Sequence, residues 1–156
     1  MMPRRRSNCP VSFTLDLCGD RWSLLILRDL MFRKMRYFRQ LLESGEGIAT
    51  NVLAERLLRL ERAGLIAKRR DRGDRKRFVY SLTPKGLDTL PILVEMILWG
   101  AQYDPRTAAP PEFVARLRKD RERARRNVSV LGGGHHLLDR PDFKWHQSMR
   151  RHLRTG

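Results

Sequence analysis

GIATNVLAERLLRLERAGLIAKRRDRGDRKRFVYSLTPKG, residues Gly47 to Gly86, is the stretch on which the fold turns. Leu53, Leu57 and Leu60 recur at helical spacing, so one stripe of a helix is apolar while Asn51, Glu55, Arg59 and Arg62 lie on its far side. Gly64 stands where a C′ glycine ends such a helix, and Leu65-Ile66 opens an extended run into the charged segment Lys68 to Arg77. Gly73-Asp74 marks the tip of a hairpin. On the return strand Phe78, Tyr80 and Leu82 share a face by period-two alternation. The bases Lys68, Arg69, Arg70, Arg72, Arg75, Lys76 and Arg77 crowd the loop end, an arrangement that seeks phosphate. Thr83-Pro84 then starts a further helix, with a hydroxyl cap followed by a proline whose missing N–H is not needed there. Helix, turn, basic hairpin, helix is the element order of a winged helix-turn-helix.

Working outward, Pro10 suits the first turn of a helix that carries Val11, Phe13, Leu15 and Leu17 and ends near Gly19. Asp20 is the expected N-cap of a helix from Arg21 to Phe32, with Trp22, Leu25, Ile26 and Leu30 as its core face and Leu24 and Leu27 widening it. The basic link Arg33 to Arg36 leads into a short helix, Tyr37 to Leu42, closed by the turn Ser44 to Gly47. That helix and the next, Ala49 to Ala63, form the helix-turn-helix pair. After the hairpin, Pro91 kinks or restarts the helix, whose Leu87, Leu90, Leu93, Val94, Ile97, Leu98 and Trp99 exceed what a small core needs. Such a surplus predicts a dimer interface, with cover of the monomer core as the alternative. Asp104-Pro105 ends the domain, and Pro110-Pro111 begins a charged helix, Glu112 to Arg126, that offers only Phe113, Val114 and Leu117 for docking.

The organisation expected is a basic arm over residues 1–8, a winged domain over 9–104, a charged helix over 105–126 and a flexible basic tail over 127–156. The fold class is mainly α with a small β-hairpin wing, the N- and C-terminal helices supplying a dimer interface. A chain of 156 residues with 41% hydrophobic content supports one such domain plus extensions. The net charge of +16 is spread unevenly: about +3 over residues 1–8, about +6 over 9–103 and about +7 over 104–156. A polyanion is therefore the expected partner. Nucleic acid is favoured over an anionic membrane, because no long amphipathic helix sets a basic face against a broad apolar one. The most apolar stretch, Leu90 to Ala101, is interrupted by Pro91 and Glu95 and falls short of a membrane span. No apolar segment follows the basic start, so a cytoplasmic location is expected. Two cysteines, Cys9 and Cys18, are too few for a disulfide framework or a zinc ribbon.

Cys9-Pro10, Leu15-Asp16, Gly19-Asp20-Arg21-Trp22, Leu25 to Leu30, Tyr37-Phe38, Gly47-Ile48, Leu53, Arg56-Leu57, Leu60-Glu61, Gly64-Leu65-Ile66, Tyr80 to Thr83 and Lys85-Gly86 together resemble the HxlR-type bacterial transcriptional regulators. The resemblance covers about residues 9–103 and extends more weakly to about 126. Leu-Glu-x-x-Gly-Leu-Ile before a basic hairpin also occurs in MarR-like regulators; Cys-Pro followed by Gly-x-x-Trp favours the HxlR type. What it implies is a homodimer joined through the first helix and the helix after the wing. Such a dimer binds a pseudo-palindromic operator and regulates transcription, commonly by repression. Carried onto this chain, the recognition helix is Ala49 to Ala63 and the wing is Ala67 to Leu82. The wing RRDRGDRKRF lacks the proline-containing tip of many relatives and is more basic.

Helix-turn-helix reading uses residues near the start of the second helix, which makes Thr50, Asn51, Ala54 and Glu55 candidates for base contact and Arg56 and Arg59 candidates for phosphate. The alternative for Glu55 and Arg59 is a surface ion pair four residues apart. Arg36 and Arg39 would flank the backbone crossing of the first helix or serve as a solvated face. Arg70, Arg72, Arg75, Lys76 and Arg77 are the wing's phosphate candidates. The dimer candidates are Val11, Phe13, Leu90, Leu93, Val94, Ile97, Leu98 and Trp99. Cys9, at a helix N-terminus near Arg4 to Arg6, has surroundings that favour a thiolate, and some members of the resembled family sense oxidants through an N-terminal cysteine. Its alternative is a small buried residue of the dimer interface. His135, His136, His146 and His152 lack metal-ligand spacing, so no metal is expected. Without a P-loop, GxGxxG or GxSxG the sequence offers no catalytic constellation and no cofactor site. Double-stranded DNA, a second copy of the chain and an unidentified effector are the partners expected. Two other readings compete: a non-specific architectural DNA- or RNA-binding protein, and an interaction module for an acidic protein.

Overall fold

The computed structural model describes residues 8–128. The basic arm that precedes them, and the tail with His135, His136, His146 and His152, lie outside the described residues. The chain divides into two units, one running to Leu90 and one from Pro91. The division falls at the point where a short helix ends and a longer one begins.

The first unit holds α1 (Pro10–Cys18), α2 (Ser23–Phe32), α3 (Phe38–Leu42), α4 (Thr50–Arg62), β1 (Ile66–Arg70), β2 (Phe78–Leu82) and α5 (Pro84–Leu87). Pro10 occupies the first turn of α1, as its fixed φ and missing donor favour. Asp20 organises the entry to α2: its Oδ1 accepts from the backbone N–H of Trp22 at 2.9 Å and of Ser23 at 3.0 Å, and its Oδ2 accepts from the Ser23 hydroxyl. Arg21 and Trp22 form a turn there, so the helix begins at Ser23 and not at Arg21. The expected core face needs correcting too. Ser23, Ile26, Leu27 and Leu30 are buried, whereas Trp22, Leu24 and Leu25 are half-buried. The small serine, its hydroxyl already satisfied by Asp20, lets the face centred on Leu27 turn inward.

Between α2 and α3 the chain passes through Lys34 in the left-handed region, φ 50°. Gln40 Oε1 then accepts from the backbone N–H of Arg36 at 2.8 Å and of Tyr37 at 3.1 Å, closing the N-terminus of α3. Asp29, buried on α2, accepts from Arg28 Nη2 at 2.7 Å and lies 3.4 Å from Arg33 Nη1. Arg33 also donates to the Ser44 carbonyl at 2.8 Å, so this charge cluster ties α2 to the turn that leads towards α4. Burial pushes the Asp29 carboxyl up, against the pull of Arg28 and Arg33.

On α4, Leu53, Leu57 and Leu60 are all buried, and the helix ends in a Schellman motif at Gly64, φ 71°. Gly64 N–H donates to the Glu61 carbonyl at 2.9 Å, and Leu65 N–H to the Leu60 carbonyl at 3.0 Å. β1 and β2 pair antiparallel, with Ile66 opposite Leu82, Lys68 opposite Tyr80 and Arg70 opposite Phe78. Thr83 caps α5 by accepting from Gly86 N–H at 3.1 Å, and its own N–H donates to the Leu65 carbonyl at 3.1 Å. The chains run so close here that a Cβ on Gly86 would stand 2.0 Å from the Leu65 carbonyl oxygen.

The second unit contains α6 (Leu90–Tyr103) and α7 (Pro111–Val128). Pro91 restarts the helix: α5 closes at Leu87 and Thr89 Oγ1 donates to the Gly86 carbonyl at 2.6 Å before α6 begins. Leu117 of α7 is buried, Phe113 and Val114 are half-buried, and Arg121 Nη1 reaches Glu95 Oε2 of α6 at 3.0 Å.

Candidate nucleic-acid interface

The buried leucine stripe of α4 turns Thr50, Asn51, Ala54 and Glu55 outward; Thr50, Asn51, Ala54 and Glu55 all belong to its first half, and all but the neighbouring Val52 and Leu53 are exposed there. No side chain caps this end, where Ala49 is the N-cap. The first backbone N–H groups and the positive end of the helix dipole thus accompany that polar face.

Arg56 and Arg59 part company with them. Arg56 is only 20% exposed, with its Nε 3.4 Å from Asp20 Oδ1 and its Nη1 3.4 Å from Glu55 Oε1. Arg59 donates through Nη2 to the backbone carbonyl of Asp16. The alternative Glu55–Arg59 pair does not form: Glu55 pairs with Arg56, and Arg59 lies on the Asp16 carbonyl at the end of α1. Of the two candidates on the preceding helix, Arg39 is 85% exposed and pairs with Glu43 at 2.8 Å, while Arg36 is half-buried and its carbonyl accepts from Tyr80 N–H at 2.8 Å.

Gly73 and Asp74 lie at the middle of a loop over residues 71–77 that joins the two strands of the wing. Asp71 N–H donates to the Arg77 carbonyl at 3.0 Å, and Arg77 N–H to the Asp74 carbonyl at 2.9 Å. Two carboxylates fold the loop from within: Asp71 Oδ1 accepts from Gly73 N–H at 2.7 Å, and Asp74 Oδ1 from Lys76 N–H at 2.9 Å. Tyr37, which sequence reasoning did not select, fastens the wing to the start of α3. Its hydroxyl donates to Asp71 Oδ2 at 2.6 Å, and the Arg77 guanidinium lies over its ring at 4.0 Å. The Tyr37 hydrogen bond, joined by those from the loop N–H groups, holds the Asp71 carboxyl below the usual range, and the same bond raises the Tyr37 phenol.

The basic residues of the wing accordingly fall into two sets. Lys68 and Arg70 flank the Phe78 ring at 4.2 and 4.9 Å, Arg70 also donates to the Arg75 carbonyl, and Arg77 covers Tyr37. Arg72, Arg75 and Lys76 are exposed, and their side chains take no partner among the described residues. Arg69, outside the wing's phosphate candidates, is exposed on the other face of β1.

The expected dimer face on α6 needs correcting. Leu93 and Leu98 are 4% and 5% exposed, so they belong to the interior, whereas Trp99 is 68% exposed. The outward stripe is Ile92, Met96, Trp99 and Tyr103, with the rings of the last two 5.0 Å apart. Leu90, Val94 and Ile97 are half-buried. On α1, Val11 and Leu15 are exposed and Phe13 is half-buried. The number of apolar residues could not separate these sets, since helix rotation is set by packing. In the single chain Cys9 is exposed at the N-cap of α1 and forms no disulfide with Cys18. Cys18 is buried, donates to the Thr14 carbonyl at 3.3 Å, and has its thiol pushed up by burial and by Asp20 against the opposing charge of Arg59. Among the described residues no cluster of three metal-ligating side chains forms, and no helix is long and apolar enough to cross a membrane.

Residues 17–108 match the family of HxlR-like helix-turn-helix proteins. The chain is 39% identical over 101 residues to Rv3095 of Mycobacterium tuberculosis, an HTH-type transcriptional regulator; the match covers 65% of this chain and 63% of that one, a little under two thirds of the relative's length. The crystal structure of PA1607, described as a candidate transcription factor, superimposes with a TM-score of 0.61 at 34% identity, over 67% of this chain and 73% of that one. The redox regulator HypR in its oxidised form gives a TM-score of 0.53 at 27% identity, over 62% of this chain and 98% of that one.

Proposed function

The chain belongs to the HxlR-like helix-turn-helix family, and on that premise we propose that it is a sequence-specific DNA-binding transcriptional regulator acting as a homodimer. The observation that carries this reading is the pairing of an exposed polar face on the first half of α4 with a basic wing fastened to the start of α3. In this reading α4 enters the major groove, where Asn51 suits adenine and Glu55 accepts from cytosine. The wing lies on the backbone or in the adjacent minor groove, with Arg72, Arg75 and Lys76 on phosphates and Arg39 near the backbone crossing of α3. Dimer formation through α1 and α6 would cover Val11, Leu15, Ile92, Met96, Trp99 and Tyr103, which a solitary chain exposes to water. Two recognition helices about 34 Å apart would then read a pseudo-palindromic operator. Bound there the protein acts as a repressor in the cytoplasm, with Cys9 as the oxidant- or electrophile-responsive group.

Competition with random duplex DNA tests the proposal. A specific regulator keeps a footprint on its operator under excess random DNA at physiological salt, with two protected half-sites. Loss of the footprint would instead favour an architectural DNA- or RNA-binding role, or an acidic protein partner. Diamide added in the same assay should release wild type and leave Cys9→Ser bound; identical responses would remove Cys9 from the mechanism.

A further inference from the structure

Two arginines of the recognition helix turn away from where DNA would lie. Asp16 and Asp20 bracket the corner between α1 and α2, and each draws one of them. Asp16 lies in the last turn of α1, and the Arg59 guanidinium donates to its carbonyl, placing a cation at the negative end of the helix dipole. Asp20, whose carboxylate starts α2, faces the Arg56 guanidinium at 3.4 Å, and Arg56 in turn faces Glu55 at the same distance. Arg56 Nε is buried without a hydrogen-bond acceptor among the described residues, so the side chain accepts a desolvation cost to remain in this corner.

The leucine stripe gives α4 its adhesion to the core, but apolar burial has little directionality, and the stripe alone would tolerate a roll of the helix about its axis. Two guanidinium groups three residues apart, Arg59 hydrogen-bonded to the Asp16 carbonyl and Arg56 held by its ion pair with the Asp20 carboxylate, remove that freedom. We infer that Arg56 and Arg59 are positioning residues, which set the roll of the recognition helix and the aim of Glu55 against the α1–α2 corner without touching DNA. The inference rests on the DNA-binding reading above.

The test uses the full chain with two probes: a duplex selected by the wild-type protein from a randomised pool, and a random duplex of equal length. For Arg56→Gln and Arg59→Gln, affinity for the selected duplex falls about tenfold, the equivalent of one charge-assisted hydrogen bond. Affinity for the random duplex stays within about twofold, inside the error of an independent site. The slope of log K against log salt is unchanged. Asp20→Asn reproduces the Arg56→Gln defect, and the double variant is no worse than either single one. Arg59→Lys, which keeps a donor for the Asp16 carbonyl, recovers most of the affinity, and this guards against a simple loss of folding. A slope reduced by about 0.9 for each arginine removed, with equal losses on both duplexes, would place these side chains on phosphate and overturn the inference. Additive effects of Asp20→Asn and Arg56→Gln would overturn it as well. Failure of the wild-type protein to select any sequence is a separate result, which removes the DNA-reading proposal and this inference with it.

Discussion

Replacing Arg72, Arg75 and Lys76 of the wing together by glutamine gives the most direct measure of what its charge does. The three side chains are exposed and take no partner among the described residues, so their removal breaks no internal interaction. Stability should stay within about 0.5 kcal/mol of wild type, as for surface changes away from special features. Every phosphate no longer neutralised lowers the slope of log K against log salt by about 0.9, so three of them flatten it by about 2.7 per wing. Between roughly 50 and 200 mM salt the wild-type protein would then lose about 40-fold more affinity than the variant for each engaged wing, and about three orders of magnitude more if both wings of a dimer bind. Fluorescence anisotropy with a labelled duplex across a salt series reads this directly. Arg70→Gln is the internal control, because that guanidinium is held by the Phe78 ring and the Arg75 carbonyl and should move the slope by well under the value for one phosphate. A triple variant with the wild-type slope would show that the wing does not touch phosphate, however basic it is.

Gly86→Ala should cost about 3 kcal/mol, since its Cβ would meet the backbone oxygen of Leu65 at 2.0 Å and neither chain can yield without breaking the Thr83 cap; a melting temperature equal to wild type would refute that packing. Met96→Glu combined with Trp99→Glu should shift sedimentation from dimer to monomer while the chain stays folded, whereas Leu93→Ala should leave the mass alone and lower stability by about 2–5 kcal/mol. The opposite pattern would reverse the assignment of the two faces. Burial works against the Asp20 carboxylate, but the hydrogen bonds from Ser23 and Trp22 and the charge of Arg56 prevail and depress its pKa. A depressed carboxyl contributes stability that is present above its unfolded value of about 3.9 and is lost as pH falls through the folded one. Asp20→Asn should therefore flatten the acid limb of a pH-unfolding curve, and an unchanged limb would remove Asp20 as a contributor.

Where local chemistry decides the structure, the sequence is legible. The Schellman turn at Gly64, the Thr83-Pro84 cap and the leucine stripe of α4 each depend on residues within a few positions of one another, and all three lie where the spacing predicts. Helix rotation is another matter. The stretch Leu90 to Trp99 contains enough apolar residues for two faces, and only packing decides that Leu93 and Leu98 point in while Met96 and Trp99 point out. The core face of α2 differs for a related reason, since packing buries Ser23 and Leu27 and leaves Trp22 and Leu25 half-buried. Cys9 lies at the helix N-terminus that Pro10 predicts, but its exposure there is a tertiary fact.

The same distinction explains why the total of basic residues overstates the DNA-contacting surface. Arginine serves two ends in this fold. A planar guanidinium can satisfy a stray carbonyl, as Arg59 and Arg70 do, or lie on a ring, as Arg77 does on Tyr37, and such a group is poorly placed to release counterions from a phosphate. The two aspartates of the wing sharpen the division. In a purely electrostatic account Asp71 and Asp74 weaken a phosphate-binding loop, yet both carboxylates accept backbone N–H groups within it, and Asp71 also holds the Tyr37 hydroxyl. Their hydrogen bonds shape the loop on which Arg72, Arg75 and Lys76 are exposed. The wing loop is therefore best regarded as carrying three outward cations, Arg72, Arg75 and Lys76, on a scaffold built by Asp71, Asp74, Arg70 and Arg77, and its affinity for DNA should follow those outward cations more closely than the total charge of the segment.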